Sequence, residues 1–390
     1  MYYWENKYTN ILHKAPHQTC TRCVMDTSDP LIKFDEEGVC NHCLSYDSYI
    51  ADLGDSKEKE LMLEKLVDTL RAAGKGKDYD CIMGLSGGVD SSYLSWFVVK
   101  KLGLRPLVVH VDAGWNSELA VNNIQNLVEK LGIDLHTLVI DWEEMRDLQK
   151  SYFKSGIANL DVPQDHAFIA SLYSEASKFG IKHILNGGNM QTESILPTSW
   201  GYDANDARSL TSIQNKFGSV KLKNYPIYTH WHGLIYYPYI KRMKTHRPLE
   251  WIDYSKDKAK DLLINEMGWR DYGGKHYEST FTKFFQAHYL PTKFGYDKRK
   301  AHLASLVVSG QLSKEDALNE LELPLYDSTE LEEDRIYWCK KLGIQDDEYN
   351  EVMSKKPSFY SDFPNNEKRN NFLRKCLKFA LNIYRLFKKK

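Results

Sequence analysis

Long apolar runs, a strong net charge and a high cysteine content are all absent from this sequence. No run approaches the length of a membrane span, and the first residues form no apolar signal core, so we expect a cytoplasmic protein. The 52 basic and 53 acidic residues leave a net charge of −1, which argues against a protein that coats nucleic acid. Seven cysteines in 390 residues are too few for a disulfide scaffold.

The charge is unevenly distributed along the chain. Residues 367–390 carry nine lysines and arginines and one glutamate, and apolar residues recur there at helical spacing. This pattern is typical of a basic amphipathic helix. Such a tail either docks on the body of the protein or makes a peripheral contact with a membrane surface, and amphipathicity does not distinguish the two.

Four of the cysteines form two Cys-x-x-Cys pairs with sixteen residues between them. This spacing predicts a structural Zn²⁺ site, because two tight turns bring four thiolates together and leave no position for substrate. Two disulfides, or His42 replacing one sulfur, are the alternatives. The predicted ligands are Cys20, Cys23, Cys40 and Cys43, whereas Cys81, Cys339 and Cys376 are interpreted as incidental thiols.

A glycine-rich loop lies between an apolar run at residues 79–85 and a helical pattern at residues 93–99. A strand, a loop and a helix in this order form an anion site, since the helix start offers free amides and Gly87 and Gly88 let a ligand approach the backbone. No Gly-Lys-Ser/Thr is present, so the loop is not a Walker A sequence. The predicted ligand-binding residues are Ser86, Gly87, Gly88, Asp90, Ser91 and Ser92.

The loop resembles the Ser-Gly-Gly-x-Asp-Ser signature of the PP-loop ATP pyrophosphatase superfamily. This resemblance implies an enzyme that cleaves ATP between the α and β phosphates while the loop holds pyrophosphate, with Asp90 as a catalytic residue. Mg²⁺ is expected to accompany the phosphates.

The pattern of strands and helices continues beyond the loop, with strands expected at residues 106–111, 135–140 and 183–185. Helical patterns at 118–131 and 164–179 alternate with them, which predicts an α/β protein with a doubly wound parallel sheet. Ligands of such sheets bind at the carboxyl ends of the strands. The superfamily resemblance carries adenosine contacts over to Val111, Asp112 and Gly188, although Asp112 and Asn189 also suit ordinary turns.

The nucleophile divides this superfamily between sulfur transfer to tRNA and amide transfer with ammonia. No cysteine occurs between Cys81 and Cys339, so the core loops offer no thiol for sulfur transfer. A fused glutaminase would need a nucleophilic cysteine, and none stands in a suitable context. Amide transfer with a separate glutaminase or free ammonia is therefore favoured, with tRNA thiolation and a non-catalytic nucleotide-binding scaffold as alternatives.

Segments around residues 187–193, 281–303 and 309–318, together with the cysteine pairs, closely resemble the N-acetyl sugar amidotransferases. The resemblance implies conversion of a sugar acetamido group to acetamidino in bacterial surface-polysaccharide pathways. It also implies ammonia from a partner glutaminase that resembles the one in histidine biosynthesis, with or without a cyclase-like companion.

Three cations in these segments, Lys283, Arg299 and Lys300, are candidates to neutralise phosphate charge, although a solvated charge run is equally consistent with them. Residues 198–240 show no clean periodicity and are rich in Trp, Tyr and Asn, so as a group they are a candidate substrate or partner surface, with an irregular packed insertion as the alternative. The expected domains are a zinc-knuckle segment at 1–56, a PP-loop domain at 57–300 and a helical region at 301–390.

Overall fold

The computed structural model describes residues 16–201, 203–273, 279–373 and 375. A parallel sheet with the strand order β3-β2-β1-β4-β5 forms its centre. The order reverses beside β1, whose neighbours are β2 and β4, and this confirms the predicted doubly wound sheet. The strands are β1 (Cys81–Gly84), β2 (Pro106–Asp112), β3 (Leu135–Val139), β4 (His183–Leu185) and β5 (Lys244–His246).

Helices cover the sheet and build the C-terminal region. The first set is α1 (Asn41–Asp52), α2 (Ser56–Gly74), α3 (Val89–Trp96), α4 (Glu118–Leu131), α5 (Trp142–Ser155), α6 (Val162–Lys178), α7 (Met190–Glu193) and α8 (Ala207–Phe217). The second set is α9 (Lys256–Met267), α10 (Thr280–Phe284), α11 (Leu290–Phe294), α12 (Lys298–Val308), α13 (Lys314–Glu322), α14 (Ser328–Leu342) and α15 (Asp346–Ser354). π-Helical segments are Phe97–Lys101, His232–Ile240 and Phe285–Tyr289, and 3₁₀ turns are Pro248–Trp251 and Tyr360–Asp362.

The local sequence explains why these elements begin and end where they do. Asp55 caps α2 by accepting from the backbone amides of Lys57 and Glu58, and the Glu58 side chain returns a bond to the Asp55 amide. Gly132 ends α4 in the left-handed conformation at φ 61°. β2 is buried along nearly its whole length, as expected for an interior parallel strand.

Residues 198–240 are more regular than their sequence pattern indicates. This segment contains α8, which Asp206 caps, and the π-helical segment His232–Ile240. The buried side chains of Ala207, Leu210 and Ile213 lie on one face of α8, and helix α5 packs beside it. Strand β5 also went unpredicted, because its three residues at the sheet edge carry no apolar pattern.

No helix among the described residues is both long and apolar enough to cross a membrane. The predicted basic amphipathic tail falls mainly on residues 374 and 376–390, outside the described residues. Its two alternative roles therefore stay predictions.

Candidate active site

The glycine-rich loop lies at the carboxyl end of β1, beside the point where the strand order reverses. Leu85 donates its amide to Val109 on β2 at 2.9 Å, and Gly88 then forms the N-cap of α3. The free amides of the first turn of α3 therefore face the space above the sheet edge. Trp269 Nε1 and Tyr272 Oη donate to the carbonyl of Gly87 at 2.8 and 3.0 Å.

Gly87 has a left-handed backbone that requires glycine. Its φ is 87°, and a Cβ at this position would lie 3.0 Å from Tyr272 Oη and 3.3 Å from the Ala120 carbonyl oxygen. A side chain here would strain the backbone and push against a neighbouring backbone atom.

Two of the three predicted serines face the cavity beside the loop. Ser86 Oγ and Ser91 Oγ lie 3.1 Å apart, and the Gly88 amide donates to Ser86 Oγ at 3.2 Å. Ser92 points the other way. It is 1% exposed, does not line the cavity, and its Oγ has no hydrogen-bond partner among the described residues.

Asp90 lies in the first turn of α3 and is held by two distant residues. Its Oδ1 accepts from Tyr254 Oη at 2.6 Å and from Asn189 Nδ2 at 3.4 Å. Burial and the neighbouring Asp90 charge raise the pKa of Tyr254 above its usual value. Sequence reasoning missed Tyr254, because no motif surrounds it.

The second glycine loop contacts the first one. A Cβ on Gly187 would lie 3.1 Å from the Asp90 carbonyl oxygen, so the two loops approach backbone to backbone. Gly188 lines the cavity, and Asn189 both caps α7 and contacts Asp90. The interpretation of Asn189 as an ordinary turn residue therefore covers only part of what its side chain does.

Of the two predicted positions at the end of β2, Val111 lines the cavity and Asp112 does not. Asp112 Oδ1 instead accepts from the Gly114 amide at 2.8 Å and from Asn116 Nδ2 at 3.2 Å. These bonds place Asp112 in the turn that follows the strand.

Both glycine loops open into a cavity of about 1460 Å³. Single drug-sized ligands occupy pockets of about 300–1,000 Å³, so this cavity has room for a nucleotide and a second substrate. Polar side chains from the start of α6 and from α10 and α12 form other parts of its lining.

The three predicted cations are not brought together. Lys283 pairs with Glu330 and with Asp334, the latter at 3.1 Å, and these carboxylates raise the pKa of Lys283 despite its burial. Lys300 pairs with Asp26. Arg299 alone of the three lines the cavity, and it is itself held by Asp297 at 2.8 Å and by the carbonyl oxygens of Glu320 and Leu323.

The four predicted zinc ligands form one buried cluster. Their sulfurs lie 3.9 Å apart for Cys20 and Cys43, 3.7 Å for Cys23 and Cys40, and 3.6 Å for Cys40 and Cys43. Four sulfurs about 2.3 Å from one Zn²⁺ in a tetrahedron lie about 3.8 Å from each other, so the cluster fits this ion. These separations are far longer than a disulfide bond of about 2.05 Å.

Neighbouring groups support the same ligand set. The amides of Cys23 and Cys40 donate to Cys20 Sγ at 3.4 and 3.2 Å, which stabilises a thiolate. His42 is engaged elsewhere, since its Nε2 lies 2.8 Å from Asp29 Oδ2.

The cysteine cluster is tied to segments that line the cavity. Ser199 Oγ donates to Asp29 at 2.8 Å, close to the cavity-lining residues 196–198. Lys314 Nζ donates to the Cys20 carbonyl at 2.8 Å, and Lys300 on α12 pairs with Asp26. The ion pair and hydrogen bonds from Lys300 and Ser28 hold the pKa of Asp26 below its usual value against the effect of burial.

Two family models match this chain. Residues 61–221 match NAD synthase, and residues 278–377 match the C-terminal domain of LPS biosynthesis protein WbpG-like proteins. The cavity is lined from both matched segments, with the glycine loops in the first and the α10 and α12 residues in the second.

Individual relatives cover different parts of the chain. An uncharacterized protein of Methanocaldococcus jannaschii is 23% identical over 78% of this chain and 93% of its own length. The glutamine-hydrolyzing GMP synthase of Thermosipho africanus is 31% identical over 33% of this chain and 24% of its own length. The NH3-dependent NAD synthetase of Campylobacter jejuni is a similar solved structure, at 12% identity, a TM-score of 0.32, and coverage of 70% of this chain and 98% of that chain.

Proposed function

We propose that this chain is an N-acetyl sugar amidotransferase of the PP-loop type, which converts the acetamido group of an N-acetylated nucleotide-sugar to acetamidino. ATP would adenylate the amide oxygen, with release of pyrophosphate. Ammonia would then attack the activated carbon, and AMP would leave with the oxygen. The WbpG-like segment, whose family description names LPS biosynthesis, supports a place in surface-polysaccharide synthesis.

The observation that carries this proposal is the shared cavity. One part of its lining is the anion-binding loop of the NAD synthase-like segment, and another belongs to the WbpG-like segment. An amide carbonyl is a poor electrophile, so it must meet the α-phosphate of ATP directly. A single cavity that both segments line allows this encounter.

The loop residues suit ATP and its Mg²⁺. The amides at the start of α3 and the hydroxyls of Ser86 and Ser91 would bind phosphate oxygens. Asp90 and Glu193 both line the cavity, and the charges of both carboxylates raise the pKa of Tyr254, so the two lie near each other. Their oxygens are the hard ligands that Mg²⁺ prefers. When bound, Mg²⁺ would neutralise charge on the leaving pyrophosphate.

The thiols support ammonia rather than sulfur as the nucleophile. No cysteine of the described residues lines the cavity. Cys81 is fully buried, and burial raises the pKa of Cys339 to about 11. Neither thiol suits sulfur transfer, because a thiolate must form and reach the substrate. A GMP synthase that hydrolyses glutamine among the relatives also supports nitrogen transfer.

We further propose that a separate glutaminase supplies the ammonia and docks on residues 231–240. Residues in this range expose a set of large apolar side chains. These are Trp231, Leu234, Ile235, Tyr239 and Ile240, with exposed fractions between 41% and 74%. A surface of this kind is typical of a protein–protein contact.

The experiment is a mass-spectrometric assay of the purified chain with ATP, Mg²⁺, ammonium chloride and a panel of N-acetylated nucleotide-sugars. We expect AMP, pyrophosphate and a product in which one oxygen is replaced by NH. The Asp90→Ala variant should lose this turnover. Formation of ADP, or no product across a broad panel, would contradict the proposal and direct the search to tRNA with a sulfur donor.

A further inference from the structure

A second polar cluster lines the cavity at the start of α6, and sequence reasoning gave it no role. It consists of Asn159, Asp161, Gln164 and Asp165 together with Thr282 and Gln286, and we call it the α6 cluster. Its first four members belong to the NAD synthase-like segment and the last two to the WbpG-like segment.

Asp161 organises the cluster. Its Oδ1 accepts from Gln164 Nε2 at 3.2 Å and Thr282 Oγ1 at 3.0 Å, and its Oδ2 accepts from Gln286 Nε2 at 3.4 Å. Asp161 is 8% exposed, so these bonds fix a buried carboxylate between the two matched segments.

Asp165 presents an open acceptor one helical turn further along. It lies on the same face of α6 as Asp161 and is exposed to the cavity. Among the described residues, no side chain or amide donates to its carboxylate. Partial desolvation at the cavity wall and the Asp161 charge raise the pKa of Asp165 above its usual value, which Lys298 partly opposes.

Asn159 presents an open donor in the same cluster. It is 7% exposed and lines the cavity, and its Oδ1 accepts the Asp161 amide at 3.1 Å. Its Nδ2 donates to none of the described residues and lies near Gly201, another cavity-lining residue. This amide is therefore available to donate to a ligand in the cavity.

An open acceptor and an open donor in one polar cluster match the chemistry of a hydroxyl group. A hydroxyl donates one hydrogen bond and accepts others, whereas a phosphate at neutral pH mainly accepts. Phe168, one turn beyond Asp165 on α6, adds an apolar surface to the same part of the lining. A pyranose ring combines hydroxyl edges with apolar faces.

We propose that the α6 cluster is the subsite for the pyranose ring of the sugar substrate, with Asp165 accepting from and Asn159 donating to its hydroxyl groups. Asp161 is a positioning residue that holds the cluster together. This inference rests on the proposed function, because it assigns the sugar of that reaction to one part of the cavity.

A chain of contacts links this subsite to the glycine-rich loop. His110 Nδ1 donates to the Leu85 carbonyl at 2.9 Å, and Asn116 Nδ2 donates to His110 Nε2 at 2.9 Å. Asn116 forms a backbone bridge with Ser279, whose Oγ accepts from the Thr282 amide at 3.3 Å, and Thr282 Oγ1 donates to Asp161. A sugar held at the α6 cluster therefore shares a continuous polar wall with the phosphates of ATP.

The test compares steady-state kinetics of Asp165→Asn and Asn159→Asp with the wild-type chain, using ammonium chloride and the nucleotide-sugar that the panel identifies. Each isosteric change removes one hydrogen-bonding function and keeps the volume. We expect the KM for the sugar to rise about 10-fold or more in Asp165→Asn, which loses a hydrogen bond to a charged group, and about threefold or more in Asn159→Asp, which loses one between neutral groups. The KM for ATP should change less than about twofold.

The pH dependence gives a second readout. The ionised Asp165 accepts from a hydroxyl, so the wild-type KM for the sugar should fall as pH rises from 6 to 8, and it should stay flat in Asp165→Asn. Asp253→Asn is the control, because Asp253 is exposed and does not line the cavity. Unchanged melting temperatures establish that the variants fold.

Three results would overturn the inference. The sugar KM of both variants could stay at the wild-type value, or the KM values for sugar and ATP could rise together. In either case the wild-type product still supports the proposed function. No product from the wild-type chain with any sugar would remove the proposed function and this inference with it.

Discussion

Tyr254 donates its hydroxyl hydrogen to Asp90 Oδ1 at 2.6 Å, across 164 residues of sequence. Tyr254 is 1% exposed, and its ring lies 5.2 Å from the ring of Tyr93 on α3. The segment before α9 therefore fixes the orientation of a carboxylate in the phosphate-binding turn. A positioned carboxylate needs less reorganisation when ATP and Mg²⁺ bind.

Tyr254→Phe should impair ATP use without unfolding the chain. The change removes one buried hydrogen bond, which costs about 1 kcal/mol of folding stability, and leaves the ring in place. Because the Asp90 carboxylate then loses its shortest hydrogen bond and is held less firmly, we expect kcat/KM for ATP to fall about 10-fold. The measurement is AMP formation at varied ATP concentration.

Tyr93→Phe is the matched control for this variant. Tyr93 packs against Tyr254, but its hydroxyl donates no hydrogen bond to Asp90. Loss of that hydroxyl should therefore leave the ATP kinetics near the wild-type values. If both variants behave alike, the effect does not come from the bond to Asp90, and the role given to the Tyr254 hydroxyl is wrong.

Gly87→Ala should abolish ATP turnover, whereas Gly76→Ala should not. Both glycines have a left-handed φ, at 87° and 74°, so both substitutions cost about 1 kcal/mol of backbone strain. Only at Gly87 does the new Cβ meet other atoms, because nothing lies within 4 Å of the corresponding position at Gly76. Thermal melting and AMP formation of the two variants separate these effects, and equal activity would exclude a special role for the Gly87 conformation.

The sequence predicts the parts of this protein that depend on local patterns. The strand before the glycine-rich loop, the helix after it and the cysteine pairs all lie where the sequence pattern indicates. Each of these features is encoded within a few residues, so periodicity and residue type are enough to find it.

Features that depend on distant partners escaped prediction. Tyr254 reaches Asp90 from another part of the chain, and Asp165 gains its environment only when α10 and α12 close the cavity. The same reason explains why the phosphate-binding role predicted for two of the cations does not match their positions in the fold. The sequence shows no carboxylate partner for Lys283 or Lys300. In the fold, Lys283 pairs with Glu330 and Lys300 pairs with Asp26.

Cys43→Ser should remove the metal that we propose for the cysteine cluster. We expect one zinc per wild-type chain by elemental analysis and a marked loss in the variant, because three sulfurs leave the tetrahedron incomplete. The melting temperature should fall as well, since binding of a structural zinc contributes to folding. Activity should decline with it, because the cluster supports segments next to the cavity.

Cys339→Ser is the control for the metal. This thiol is also buried, at 4% exposure, but it lies outside the four-cysteine cluster. Its zinc content should match the wild-type chain even if its stability falls. Full zinc in Cys43→Ser, or none in the wild-type chain, would exclude a four-thiolate zinc site.

Trp231→Ser combined with Tyr239→Ser should uncouple this chain from its ammonia source. The two side chains are 53% and 74% exposed, so their loss should leave the fold and the ammonium-driven rate within about twofold of wild type. If the glutaminase docks here, loss of two aromatic anchors costs at least about 2 kcal/mol of binding. At glutaminase concentrations near Kd, the glutamine-driven rate should then fall about 10-fold or more.

Leu31→Ser is the matched control, because Leu31 is 59% exposed but belongs to the segment between the cysteine pairs. The two rates are compared for each variant in the presence of the glutaminase, with ammonium chloride or glutamine as nitrogen source. A drop in both rates would mean that the aromatic side chains support the fold, and no drop in either would place the partner elsewhere. An equal drop in the glutamine-driven rate of Leu31→Ser would exclude a specific contact. If the partner binds at residues 231–240, only the loss of Trp231 and Tyr239 should lower the glutamine-driven rate while the ammonium-driven rate stays unchanged.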